Sequence, residues 1–403
     1  MQAIYAFGLL LFLAFLGARF ITRKDILSPF HYVVFSGLVY IFLGLSLGRK
    51  GLNILSPEVV AGLSPLISLG LGWVGFLFGF QLERRYLRRF PRKYIGFSFL
   101  QFLAVFLLGA GIMSLALARS FPSEEPYLLY GMAGALGLLL TLNAPTLLNM
   151  AAPVSPQRGD YLYLARFLVS VSGFWGITGL ALVSSYWHFP FAESRVLLEG
   201  TGFLFGATAF SAGLGVLFHS LTKKRVSEEH LLVFLLGMVF FVSGVAVYFN
   251  LPPLYASMVM GLTYSNLSRR QEKLYPLLLS TEKPLYIILV VMIGALWDVH
   301  LDVWIVSLAC LFILVRILGF VLPSRAIGAV LQFPLRLPGR FGLGFLSAGG
   351  IGVAFAVSIK LLYEHPLADV FLSIALIGII LGELIAPSGV KASVFRLDQE
   401  GKA

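Results

Sequence analysis

Apolar residues in this chain come in long unbroken runs, and the polar residues gather in short joints between them. A bilayer core about 30 Å thick takes roughly 20 apolar residues in a helix. Cutting the chain at its charged and proline-bearing joints leaves thirteen stretches near that length: 2–21, 29–47, 60–82, 95–119, 127–150, 160–185, 198–219, 229–249, 252–268, 280–298, 302–323, 340–363 and 368–390. The pattern predicts an all-α integral membrane protein of about thirteen transmembrane helices over residues 1–390, with a short tail at 391–403. The first run, Met1 to Phe20, has no basic leader and no small-residue cleavage site. It reads as a membrane span, not a removed signal.

Composition agrees with the pattern. Of 403 residues, 58% are hydrophobic and 12% charged, with a mean hydropathy of +0.90. A soluble domain carries roughly a quarter charged residues, so a water-facing globule is excluded. The net charge of +11 is segregated by joint. Arg84, Arg85, Arg88, Arg89, Arg92 and Lys93 follow the third stretch; Lys223, Lys224 and Arg225 the seventh; Arg269, Arg270 and Lys273 the ninth. Arg325, Arg336 and Arg340 join the eleventh to the twelfth, and Lys391 and Arg396 follow the last. The alternate joints hold Glu124, Glu125, Glu193, Asp298, Asp302 and Glu364. Basic loops stay in the cytoplasm, which puts the N-terminus outside and the C-terminal tail inside. Arg49 and Lys50, after the second stretch, are the one dissenting joint. The cations are then topology signals that meet anionic headgroups, and nucleic acid is not an expected partner. Tyr186 and Trp187 fit an interfacial belt.

Four segments carry a family likeness. Leu69-Gly70-Leu71-Gly72-Trp73-Val74-Gly75-Phe76-Leu77-Phe78-Gly79, followed by arginines, resembles the glycine-rich third span of the monovalent cation/proton antiporters. Gly237 to Gly261, with Phe249-Asn250-Leu251-Pro252-Pro253 between, is similar to that family's paired helices joined by a short extracellular turn. Gly342-Leu343-Gly344-Phe345-Leu346-Ser347-Ala348-Gly349-Gly350 resembles its broken twelfth span, and Gly382-Glu383-Leu384-Ile385-Ala386-Pro387 the end of its last helix. The matches keep the family's order from about residue 60 onward. The resemblance implies two inverted six-helix repeats, spans 1–6 and 8–13, whose fifth and twelfth spans break and cross near the membrane centre. It also implies a homodimer, for which Gly8, Gly17, Gly37, Gly44 and Gly48 could supply close contacts.

The residues themselves point to the same breaks. Thr141, Asn143, Pro145 and Thr146 interrupt the fifth stretch, and Ser347, Gly349 and Gly350 weaken the twelfth. Interrupted helices at matching places in two halves mark a transporter's binding site. Taken singly, each is also explained by a proline kink or by glycines in helix packing.

The core charges depart from the family. Its sixth span carries one or two acidic residues that bind the cation and exchange protons, and its eleventh a basic residue. Arg316 matches the basic position. Where the acids belong stand Ser172 and Gly173, or Ser170 and Val171 in a register shifted by two, and no carboxylate occurs between Asp160 and Glu193. A hydroxyl can ligate a cation but cannot trade a proton near neutral pH. Arg316 stays charged, and a charge at that depth needs a partner or a function. At about 1.5 Å per residue, Arg316 lies roughly 10 Å from the end of its stretch, a depth shared by Glu383 and Arg166. Glu383 is the expected counter-ion of Arg316, with Arg166 a second candidate for the same carboxylate; the alternatives are a helix-end anchor and a snorkelling cation. Lys283 and Glu83 read as interface residues.

Two functions follow. One is a transporter of the antiporter superfamily moving Na+ or K+ against H+, or by a variant mechanism: uniport, an anion at Arg316, or coupling through Glu383. The other is a transport-inactive relative acting as a membrane subunit or sensor with a soluble regulatory partner. Neither needs a cofactor. The scattered histidines and Cys310 offer no metal or disulfide framework, and no catalytic set or phosphate loop argues for an enzyme. The compact loops place the chain in a bacterial inner (cytoplasmic) membrane.

Overall fold

The computed structural model describes residues 2–20, 37, 39–145, 147–148, 159–187, 196–222, 228–268, 271–298, 302–330, 340–363 and 365–394. Among them the chain is helical and holds no strand. Inside a bilayer no water satisfies the backbone, so each apolar run closes its hydrogen bonds within itself as a helix. The helices are α1 (Gln2–Phe20), α2 (Val39–Leu47), α3 (Pro57–Gly62), α4 (Ser64–Gln81), α5 (Arg84–Leu87), α6 (Arg92–Ser120), α7 (Pro126–Thr141) and α8 (Gly159–Trp187). After these come α9 (Val196–Thr222), α10 (Glu228–Tyr248), α11 (Pro253–Leu267), α12 (Gln271–Leu296) and α13 (Val303–Val330). A 3₁₀ turn at Phe341–Phe345 precedes α14 (Gly349–Leu362) and α15 (Pro366–Val394). Every one of the thirteen apolar stretches contains a helix, and seven described helices are long and apolar enough to cross a membrane. Helices α7 and α14 are shorter because their stretches break, as the proline and the glycine pair predict.

Two compact units divide the chain. The first takes Met1–Thr22, Gly37–Leu87 and Ile177–Asp298; the second takes Arg88–Gly176 and Val299–Ala403. Each unit therefore draws helices from both halves of the sequence. Helix α8 gives its start to the second unit and its end to the first.

In the first unit, α4 lies against α11 at backbone distance. A Cβ on Gly75 would come within 2.1 Å of the Leu254 carbonyl oxygen, and one on Gly79 within 2.0 Å of that of Met258. Small residues allow such contact where lipid supplies no hydrophobic drive between helices. Around it Trp73, Phe76, Phe80, Phe218 and Tyr264 form an aromatic core, with Phe218 and Tyr264 ring centroids 4.6 Å apart. Gly79→Val is expected to push α4 off α11 and to destabilise the chain by about 1–3 kcal/mol or more, measured as a lowered unfolding midpoint in detergent; an unchanged midpoint would refute this packing.

Two expectations change here. Gly44 and Gly48 pack within the chain: Cβ atoms on them would lie 2.0 Å from the Val291 carbonyl oxygen and 2.8 Å from that of Ala295, leaving no room for a second copy. Gly37 faces the Tyr286 ring, and only open space surrounds Gly8. The dissenting joint also finds a partner, since the Lys50 ammonium sits 2.5 Å from the Asp298 carboxylate. The acid at the end of α12 thus offsets the cation beyond α2.

Candidate functional site

The second unit contains both helix breaks. Helix α7 ends at Thr141, and the backbone turns extended at Leu142, three residues before Pro145. Helix α14 begins at Gly349, whose φ of +53° suits glycine. A Cβ there would meet the Ala144 Cβ at 2.5 Å. The two breaks touch directly, the Ala144 N–H donating to the Ser347 carbonyl at 2.8 Å.

Arg316 clamps both breaks. Its side chain is 2% exposed, and its helix α13 runs on through Pro323 to Val330, past the boundary at 323 that charge and proline predict. Arg316 is therefore thirteen residues from the first residue of its helix and fourteen from the last, deeper than the roughly 10 Å read from the sequence. Its Nε donates to the Leu346 carbonyl at 3.1 Å. Nη1 donates to the carbonyls of Leu139 (3.3 Å) and Leu140 (3.0 Å), and Nη2 to that of Leu142 and to Asn143 Oδ1 (3.1 Å), with the Phe345 carbonyl at 3.4 Å. A guanidinium has five N–H groups, and each has an acceptor here. The Phe320 ring lies 5.6 Å from its Cζ. A cation at the carbonyl end of α7 also opposes the negative pole of that half-helix.

Glu383, on α15, does the complementary task. It is fully buried and accepts the Gly349 N–H at 2.6 Å and the Ser347 hydroxyl at 2.9 and 3.1 Å. A carboxylate thus sits at the positive pole of α14, and a guanidinium at the negative pole of α7. Arg316 thus holds both breaks and Glu383 the start of α14, and the two opposite charges balance one another through the crossing.

Ser172 is wired into the same network. The Asn143 amide donates to the Ser172 hydroxyl at 3.1 Å and to the Thr141 carbonyl at 3.1 Å, while Ser172 donates to the Val169 carbonyl at 2.9 Å. A line of hydrogen bonds therefore runs from Arg316 through Asn143 to Ser172. Thr141 donates to its own helix at Leu138, and Ser170 to the Arg166 carbonyl at 3.0 Å. Gly173 is buried beside Ser172, Pro145 and Gly350 are half-buried, and Arg166 is partly exposed on α8. Thr146 lies outside the described residues. The partners that sequence reasoning missed are backbone carbonyls, at Leu139, Leu140, Leu142, Phe345 and Leu346. Their only signal is the breaks themselves, which free carbonyls that a continuous helix would use.

The overall fold of the chain recurs in solved structures. One structure of the sodium/proton antiporter MjNhaP1 from Methanocaldococcus jannaschii, at pH 8, aligns with a TM-score of 0.69 at 16% identity, covering 98% of this chain and 99% of that one. An electron-microscopy structure of the same antiporter aligns with a TM-score of 0.65 at 17% identity, over 100% of this chain and 99% of that one. The chain has the sodium/proton antiporter fold. No protein-family model and no curated protein matches the sequence. At such identity the likeness carries the fold, and the site of this antiporter-like chain has to be read from its own residues.

Proposed function

We propose that this chain is a membrane transporter moving a monovalent cation, Na+ or K+, by a variant mechanism that lacks the usual sixth-span carboxylate. The observation that carries this reading is the crossing itself, which Arg316 and Glu383 hold charge-balanced with no acid at Ser172 or Gly173. Its cargo site would be built from oxygens around the breaks, among them Asn143, Ser172 and Thr141. Glu383 is the one fully buried carboxylate with a described side chain, so any proton coupling runs through it. An anion at Arg316 is the less favoured variant, because every guanidinium N–H already has a protein acceptor. The N-terminus outside, the C-terminal tail in the cytoplasm, an inner-membrane location and a homodimer are part of the same proposal.

A second reading is supported by the closed network. Asn143, Ser172 and Arg316 satisfy one another, which suits a transport-inactive subunit working with a soluble partner. Proteoliposomes loaded with Na+, K+ or small anions under an imposed pH gradient separate the two. The transporter reading expects cation flux, with the response to pH lost in Glu383→Gln. Proton-coupled flux that survives replacement of Glu383, Glu83 and Asp160 would remove these carboxylates from coupling. Flat traces with every ion would favour the subunit.

A further inference from the structure

One end of the second unit collects cations from four separate stretches of sequence. Arg88, Arg89, Arg92 and Lys93 stand exposed ahead of α6 and in its first turn. Internal contacts bring three more exposed cations to that end. The Gln101 amide donates to the Ser324 hydroxyl at 2.8 Å, next to Arg325. The rings of Phe97 and Phe341 meet at 6.5 Å, beside Arg340. A Cβ on Gly344 would lie 3.1 Å from the hydroxyl of Ser393, two residues past Lys391. The acids of this unit with described side chains sit elsewhere: Glu124 and Glu125 before α7, Asp302 before α13, Asp369 opening α15, and Glu383 in the core. Nearest to these cations in sequence are Glu83, five residues before Arg88 and 3.7 Å from Arg85, and Asp398, seven after Lys391, which lies outside the described residues.

Two features make the cations a surface with a definite occupant. Phe90 is buried against the Phe167 ring at 3.9 Å and the Tyr163 ring at 4.7 Å, which fixes the run from Arg88 to Lys93 on the unit. The start of α6 has no side-chain cap and no acid in its first turn, so its helix pole adds to the positive field. Within about two turns of the cations lie exposed apolar residues: Ile95 and Phe99 on α6, Leu322 on α13, and Leu384 and Ile385 on α15. An acidic protein or a nucleic acid would answer the charge and leave this apolar surface bare. A lipid answers both.

We propose that this end binds anionic phospholipid, its phosphate on Arg88, Arg89, Arg92 and Lys93 and its acyl chains on the apolar rows behind them. The proposal is independent of whether the chain transports an ion. The test uses the full chain in an uncharged detergent, with apparent affinity read from thermal unfolding against added phosphatidylglycerol, phosphatidylcholine or inorganic phosphate. Phosphatidylglycerol is expected to bind roughly tenfold or more tightly than phosphatidylcholine. R88Q/R89Q/R92Q/K93Q should bring the two within about twofold, while R88K/R89K/R92K should keep most of the preference. An undiminished preference in the glutamine variant, equal binding of the two lipids, or full reproduction by inorganic phosphate would each overturn it. Spin-labelled lipids around the unaltered chain give a check that needs no variant. Their selectivity must weaken at high salt, and a salt-independent preference counts against the proposal.

Discussion

Replacing Arg316 by Ala is expected to cost about 3–5 kcal/mol of stability, the range for stripping a buried charge from its partners. The substitution leaves the carbonyls of Leu139, Leu140, Leu142, Phe345 and Leu346, and Asn143 Oδ1, without the donor they share. Each orphaned buried acceptor is worth about 1–3 kcal/mol, and Arg316 is only 2% exposed. Relaxation of the two breaks recovers part of that sum, which keeps the expectation at the lower figure. Arg316→Lys should rescue less than half of the loss. An ammonium offers three donors from a single point, whereas the acceptors lie on two different breaks and call for a planar fork. Chemical unfolding in detergent, followed by tryptophan fluorescence, measures both variants. A loss below about 1 kcal/mol for Arg316→Ala would place it among ordinary substitutions and show that the crossing stands without its clamp.

The second large effect is expected at Glu383. Glu383→Ala removes the acceptor for the Gly349 N–H and the Ser347 hydroxyl and leaves Arg316 with no compensating charge, again a loss of about 3–5 kcal/mol. Glu383→Gln keeps the shape and one carbonyl acceptor, so it should cost less. What it loses is the charge at the positive pole of α14, worth up to about 2 kcal/mol in a buried setting. Combining Arg316→Met with Glu383→Met supplies the sharper measurement. Each single change strands the opposite charge, whereas the double change strands neither, so it should lose clearly less than the two losses added together. Additive losses would mean that the two residues hold their half-helices independently, with no charge balance across the crossing.

Much of this site is legible before any coordinates. Pro145 and the Gly349-Gly350 pair mark the breaks, and Arg316 and Glu383 announce themselves as charges inside apolar runs. Their partners are another matter. Depth arithmetic pairs Arg316 with Glu383 because both side chains stand at similar heights, but height does not say which groups face each other. The guanidinium instead meets backbone carbonyls, and carbonyls are present at every residue whatever its side chain. Helix length misleads for a related reason. Pro323 looks like a stop, but it lies within a long helix as Pro387 does, since neighbouring helices can accommodate the freed backbone groups of a membrane-spanning helix. The glycines of the second stretch mislead in the same way. Nothing in Gly44 or Gly48 says whether the close neighbour is a second chain or α12 of the same chain.

The sequence by itself determined the class and the elements of this protein. Hydropathy over roughly 20 residues is enough to oblige a helix across a bilayer, and the order of glycine and proline breaks points to the crossed-helix fold. It also determined an absence, since no carboxylate stands between Asp160 and Glu193. Tertiary structure alone decided how the chain is shared between two units, that Arg316 bridges both breaks, and that Glu383 serves the start of α14. It also decided that Ser172 joins the Arg316 network through Asn143. Those outcomes depend on which helix ends meet, a matter of long-range packing and backbone direction that no local run of side chains encodes.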